Sequence, residues 1–309
     1  MAGSHTWLIT GARGFLGTNA GVWLNGRVDL VGQARQSATS PFYREIVGID
    51  LRDPEPLTEL IRRIRPSVII NAAAISGHET CANDPEQAWA VNVTATTRMA
   101  QVAAETGARL VHISTDAVFS GASGNYRETD PVEPFSVYGE TKFAGEEAVR
   151  AELDDHLIIR TNFFGWSETG RKSVLEFFVN SLRSGERING YPDFIVTSLY
   201  VQSLLATIWQ LTERDARGTF HVASRDALSK YDFGVQVART FGLDEGLIAR
   251  LGPPPQAHAT SRSRDLSLST DRVAQALASP MQSQAEGITQ AYDDEHTVGV
   301  QVRGSRLRT

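Results

Sequence analysis

Short uninterrupted runs of Val, Ile and Leu alternate with longer segments of helical spacing through the first half of the chain, and no other feature narrows the fold as much. A strand that is apolar on both pleat faces needs a covering layer on each side, so such runs imply a parallel sheet flanked by crossover helices. The runs are Trp7–Thr10, Leu30–Gln33, Val47–Asp50, Val68–Asn71, Leu110–Ser114 and Leu157–Arg160. Between them, helical patterns fall at about Phe15–Leu24, Pro56–Ile64, Pro85–Thr106 and Val137–Leu153, the third opening with Asp84 as a cap and Pro85 in the first helical position. After Arg160 the glycines 165, 170, 185 and 190 and Pro192 punctuate shorter elements. Helices are expected near Leu199–Thr212 and Lys230–Phe241, and a strand at Thr219–Ala223. The expected fold is therefore α/β: a doubly wound parallel sheet in residues 1–162, with a smaller interleaved C-terminal lobe in 163–309 that returns to the sheet domain at about 199–223. Three prolines at 253–255 must form a stiff, nonhelical connection, and the polar tail beyond about Asp294, with Arg303, Arg306 and Arg308, is expected to be loose.

Composition excludes several function classes. Thirty basic against 36 acidic residues leave a net charge of −6, which opposes nonspecific binding to nucleic acid or an anionic membrane. Cys81 is the only cysteine, so neither an internal disulfide nor a Cys-based zinc cluster can form, and a reducing compartment is the natural home. His78-x-x-Cys81 has metal-like spacing but lacks a second pair of ligands, so no metal is expected. No run reaches the ~18 apolar residues of a membrane span, and no basic-then-apolar leader opens the chain. The expectation is a soluble cytoplasmic protein.

The first strand runs into Thr10-Gly11-Ala12-Arg13-Gly14-Phe15-Leu16-Gly17 and then into a helix. Gly11 permits the tight turn, Gly14 lets a pyrophosphate approach the backbone, and Gly17 lets the helix pack closely, with phosphates against unpaired N–H groups at the positive helix end. This context makes the sheet a Rossmann-type dinucleotide-binding fold. The acid that would hold a ribose 2′-hydroxyl is missing from the end of the second strand. Arg35 stands there instead, suited to a 2′-phosphate with help from Arg13, so NADPH is favoured, with NADH as the lesser option.

The fifth strand ends in Ser114-Thr115-Asp116, at the carboxyl edge where open α/β sheets bind ligands. Tyr138 and Lys142 are four apart and share a helix face. A phenol is a poor acid–base group at neutral pH until a nearby ammonium favours its ionised form; Lys142 can supply that charge and donate to cofactor ribose hydroxyls, while Thr115 orients a substrate oxygen.

Together, Thr10-Gly11-x-x-Gly14-x-x-Gly17, Asn71-Ala72-Ala73-Ala74, Ser114-Thr115-Asp116 and Tyr138-x-x-x-Lys142 resemble an extended short-chain dehydrogenase/reductase. The runs Ile113–Gly121, Tyr126-Arg127-Glu128-x-Asp130-Pro131 and Pro134–Glu146 resemble the dTDP-4-dehydrorhamnose reductase family, over roughly residues 6 to 278. That resemblance implies Tyr138 as the acid, Lys142 as its partner and Thr115 as a hydroxyl donor, with hydride passing from a reduced nicotinamide to the carbonyl of a nucleotide-activated 4-keto-6-deoxysugar. Expected cofactor contacts are Gly11, Arg13, Gly14, Phe15, Leu16, Gly17, Arg35, Asp50, Leu51, Ala72, Ala73, Ala74, Tyr138 and Lys142. Expected substrate contacts are Ser76, His78, Asp116, Asn162, Trp166 and Arg262. Trp166 is read either as a stacking platform or as a buried aromatic. Asn92 is expected to hydrogen-bond the loop carrying Thr115, and His112 and His221 to be packing histidines. The chain departs from the family at Ser263, where proline is usual, and at Gly190–Thr197, where a Gln-x-Gly-x-Pro-Thr segment is usual, so the sugar or its nucleotide can differ from the namesake's. The alternatives on the same residues are an NAD-dependent sugar-nucleotide epimerase, a dehydratase using Asp116, and a noncatalytic cofactor-binding subunit. A homodimer is the default assembly.

Overall fold

A computed structural model describes residues 6–251 and 264–305. Six parallel strands, β1 Thr6–Thr10, β2 Asp29–Ala34, β3 Glu45–Gly48, β4 Val68–Asn71, β5 Arg109–Thr115 and β6 His156–Thr161, are joined by a seventh, Gly218–His221. Their spatial order is 3-2-1-4-5-6 followed by the seventh strand. Strand order reverses between β1 and β4, where Thr10 pairs with Asn71 in register, and a crevice opens at such a reversal beyond the carboxyl ends.

The unbroken apolar runs reflect burial on both faces. Along β1, Trp7 and Ile9 point into one core and Leu8 into the other; along β6, Leu157 and Ile159 face the first core and Ile158 the second. On the second face lie α2 (Glu55–Ile64), α5 (Ala95–Thr106) and α6 (Val137–Glu152), and the short α3 (His78–Asn83) and α4 (Pro85–Trp89) come between α2 and α5 in the chain. The other face carries α1 (Phe15–Leu24), the helix Val201–Glu213 and the C-terminal elements. The chain returns from the lobe through Leu199–Tyr200, which pairs with Phe163–Phe164, and through the seventh strand, which pairs with β6.

Several elements differ from expectation. The third strand lies at Glu45–Gly48 rather than Val47–Asp50. The long helix expected over 85–106 is interrupted: Pro85–Trp89 is α-helical, Ala90–Thr94 forms a π-helical turn, and α5 follows. Such turns occur where side-chain demands override the i→i−4 ladder, and Asn92 lies inside this one. The tail is not loose as far as residue 304: Asp294–His296 forms a 3₁₀ turn and Val298–Gly304 a helix. Val302 is fully buried and Arg183 grips the Glu295 carboxylate, so side chains of the lobe supply the anchorage that a polar tail conceals. Pro253–Pro255, Arg262, Ser263, Arg306 and Arg308 lie outside the described residues.

Candidate active site

Gly11 turns the chain at φ +70°, a conformation that favours glycine. Its N–H donates to Gln33 Oε1 at 3.1 Å, and Gln33 Nε2 donates to the Ile49 carbonyl at 2.7 Å, which ties the turn to β2 and the segment after β3. A Cβ on Gly17 would stand 2.2 Å from the Gly11 carbonyl oxygen, so only glycine lets α1 approach this turn. Gly14 caps α1 without any side-chain hydrogen bond, so no cap residue occupies the first-turn N–H groups of Phe15, Leu16 and Gly17. On its other side, Ala72–Ala74 follow β4, and the Ala73 N–H donates to Thr10 Oγ1 at 3.1 Å. Exposed Arg13 and Arg35 stand near the rim. Asp50 is tied to Arg52, whose Nε lies 2.9 Å from Oδ2; these contacts, with Arg35 assisting, hold the carboxyl down at about 2. Leu51 is buried beside it.

The catalytic edge depends on α6. Ser136 caps it, accepting from the Gly139 N–H at 3.3 Å. A Cβ on Gly139 would lie 2.2 Å from the Ala117 carbonyl oxygen, so glycine again permits contact, here between the first turn of α6 and the loop after β5. Tyr138 is thereby brought within hydrogen-bonding reach of Thr115. Burial pushes the phenol up to about 12; Thr115 partly offsets this, and the Asp116 charge adds to it. Asp116, itself buried, accepts from Thr115 Oγ1 at 3.0 Å and from Asn162 Nδ2 at 2.9 Å, while Asn162 Oδ1 accepts from Ser198 Oγ at 2.5 Å. Desolvation raises the Asp116 carboxyl to about 6 in spite of those donors.

Lys142 has a partner that the motif does not name. Its Nζ lies 3.3 Å from His112 Nε2. The amine is buried, which lowers it to about 8, with Glu146 one turn along pulling the other way. Glu146 belongs to a buried cluster: it accepts from Ser114 Oγ at 2.5 Å, Arg160 Nη2 at 2.7 Å and Arg150 Nη2 at 2.8 Å. The Arg160 guanidinium also stands 5.1 Å from the Phe119 ring centroid.

Other residues named from the sequence distribute unevenly. His78 meets Tyr138 edge to face at 5.3 Å, stacks on Phe135 at 5.4 Å, and places Nδ1 3.0 Å from Ser136 Oγ, so it stands beside the Tyr138 ring; Ser76 is exposed on the same loop. Phe15 stacks on Phe163 at 5.4 Å, joining the cradle to the segment that carries Asn162. Trp166 is not a stacking platform: it is 2% exposed, its indole N–H donates to the Ala291 carbonyl at 2.9 Å, and Arg303 lies over its ring, because the C-terminal helices cover it. Asn92 holds the loop after β4 rather than the one carrying Thr115. Its Oδ1 accepts from the Ile75 N–H at 2.9 Å, and its Nδ2 donates to the Ile75 carbonyl and to Thr141 Oγ1, both at 3.0 Å. His112 is buried as expected but also touches Lys142. Its place two residues before Ser114 on β5 put it on the pleat face that meets α6, a signal that could have found it. His221 is a packing residue, with Nδ1 on the Tyr126 carbonyl and its ring edge-on to Phe119.

Comparison with known proteins agrees with this architecture. Residues 5–297 match the family model described as RmlD substrate binding domain. A probable low-salt glycan biosynthesis reductase of Haloferax volcanii is 32% identical, covering 78% of this chain and 81% of its own. The dTDP-4-dehydrorhamnose reductase of Salmonella typhimurium is 31% identical over 70% of this chain and 74% of its own. A solved dTDP-4-dehydrorhamnose reductase from Bacillus anthracis, in complex with NADP, superposes with a TM-score of 0.85 at 23% identity, covering 94% of this chain and 99% of that one, and supports the fold. The chain therefore belongs to the RmlD substrate binding domain family, the dTDP-4-dehydrorhamnose reductase-like group of extended short-chain dehydrogenase/reductases.

Proposed function

We propose that the chain is a nicotinamide-dependent reductase of a nucleotide-activated 4-keto-6-deoxysugar. The observation that carries the reading is a half-buried Tyr138 beside Thr115 and against the ring of His78 at the carboxyl edge of the sheet, across the crevice from a glycine cradle that side chains would fill. Gly11, Gly14 and Gly17, the first turn of α1 and Ala72–Ala74 would hold the dinucleotide. When bound in reduced form, it supplies the hydride. The chain's own groups handle the proton and the orientation. With its pKa near 12, Tyr138 holds its proton at neutral pH and has it to give to an oxygen that gains negative charge. The Thr115 hydroxyl donates to Asp116 and accepts the Ala117 N–H, which fixes its oxygen at the edge of the site. Lys142, near 8, keeps most of its charge at pH 7 and adds a positive field beneath the site.

NADPH is the preferred cofactor in this reading. The end of β2 carries Arg35 in place of an acid, and the nearby Asp50 charge is taken up by Arg52. An exposed guanidinium, with Asp50 held mainly by Arg52, suits a 2′-phosphate. The test is oxidation of NADPH against a panel of dTDP-, UDP- and GDP-linked 4-keto-6-deoxysugars, with Tyr138→Phe as control. Stoichiometric consumption on one substrate, and a loss of about 100-fold or more in the control, is expected for removal of a general acid. Redox-neutral isomerisation, loss of water, or near-normal turnover in the control would overturn the assignment.

A further inference from the structure

We propose that His112 is a positioning residue for this reduction: its imidazole seats the Lys142 amine, and Asn71 at the end of β4 fixes the imidazole. The inference rests on the reductase reading above, which makes Lys142 part of the machinery. His112 Nε2 lies 3.3 Å from Lys142 Nζ, the one hydrogen bond of that amine among the described residues, and Nδ1 lies 3.1 Å from Asn71 Nδ2. Asn71 is held from two further sides, its Oδ1 accepting from the Thr10 hydroxyl at 2.8 Å and its Nδ2 donating to Thr96 Oγ1 at 3.0 Å. Thr10 Oγ1 then accepts the Ala73 N–H at 3.1 Å. An unbroken polar chain thus runs from the lysine to the cofactor loop, through groups that are all buried as far as Thr10. Gly145 makes the room: a Cβ there would stand 3.5 Å from His112 Nε2 and 2.7 Å from the Asn92 carbonyl oxygen.

Hydrogen-bond logic couples the two groups. A neutral imidazole accepts through one nitrogen and donates through the other. While Lys142 is an ammonium it donates to Nε2, the ring proton sits on Nδ1, and Asn71, whose Nδ2 faces Nδ1 in the structure, must turn its carboxamide over to offer the oxygen. Once Lys142 is a neutral amine, Nε2–H donates to it and Asn71 offers its amide nitrogen. Loss of the lysine proton and the tautomer change of His112 are one event. The charges facing the pair are Arg150 and Glu146 of α6: burial, with Lys142 and Arg150 adding to it, keeps the ring neutral, and Glu146 supports the ammonium. A ring that only filled space would leave the lysine unaffected.

The test uses the full chain and compares wild type, His112→Leu and His112→Gln. Each is assayed for kcat, KM and pH dependence with NADPH and the best keto-sugar. His112→Leu should lose about tenfold in kcat, the scale of one hydrogen bond to a charged group, with KM little changed. The basic limb assigned to Lys142 should move to lower pH, since the ammonium has lost its acceptor. His112→Gln, whose amide oxygen reaches the same region, should recover part of kcat and of the limb. Nitrogen-15 imidazole spectra should show His112 switching tautomer with the lysine titration, and no such switch in Lys142→Met. Unaltered kcat and limb in His112→Leu, or a tautomer indifferent to Lys142→Met, would overturn the proposal. Should His112→Leu fail to fold, His112→Gln and the spectra decide. If wild type reduces no keto-sugar, the reductase reading falls, whereas the spectra still decide the histidine–lysine contact.

Discussion

The proposed dinucleotide cradle and the proposed catalytic edge lie on one sheet, yet opposite materials make them. In the cradle the work falls to backbone: a positive φ at Gly11, a helix pressed onto the turn at Gly17, and N–H groups left without side-chain caps. At the catalytic edge it falls to buried charge, with Asp116, Lys142, Glu146 and Arg160 all removed from water. The first arrangement is indifferent to pH and intolerant of volume. In the second, the same burial that raises Tyr138 and Asp116 and lowers Lys142 makes function sensitive to protonation.

That contrast can be broken or sharpened by mutation. The largest effect on folding is expected from Arg160→Met, which strips Glu146 of its main partner and should cost about 3–5 kcal/mol, toward the lower end because Arg150 remains. In wild type the Glu146 carboxyl is held below its ordinary value, so this stability is present at neutral pH and lost as pH falls through the folded pKa. The gap between the two proteins in thermal melts should shrink in acid; a gap constant with pH would mean that packing, not charge, is lost. Gly17→Ala should weaken dinucleotide binding by about 100-fold, or about 3 kcal/mol, by titration fluorimetry, and equally at all pH values. Retained affinity would show that the cradle does not need the close approach.

Asp116→Asn should be smaller and of opposite sign for stability. Because the folded carboxyl is raised to about 6, the wild type carries a cost that is absent below about pH 4, grows through pH 6, and is complete above it. The variant should melt higher by up to about 2 kcal/mol at pH 8, with no advantage at pH 4; a gain persisting at pH 4 would refute burial of charge as the cause. Least of all, Arg35→Ala should raise the Kd for NADPH by about tenfold, about 1.4 kcal/mol, and leave NADH nearly unchanged. Equal losses for both cofactors would remove the 2′-phosphate role.

Legibility follows the same divide. The strands and the glycine turn were readable because runs such as Ile69–Ile70 and the spacing of Gly11, Gly14 and Gly17 act over a few residues. Thr115, Tyr138 and Lys142 were readable through their motif. The direction of the Tyr138 shift was not, since it depends on what covers the ring. Trp166 looked available to substrate until the helices at 284–304 were placed over it. The break at Ala90–Thr94 was hidden because Asn92 answers to Ile75 and Thr141, residues far along the chain.

From the sequence alone came the doubly wound parallel sheet and the glycine turn between its first strand and helix, because periodicity and spacing encode local geometry. Tertiary structure decided how the side chains of the site are withdrawn from water, that the Lys142 amine meets His112, and that the tail is anchored as far as residue 304. Solvation and pairing depend on neighbours brought together from distant segments, and no short stretch of chain carries that information.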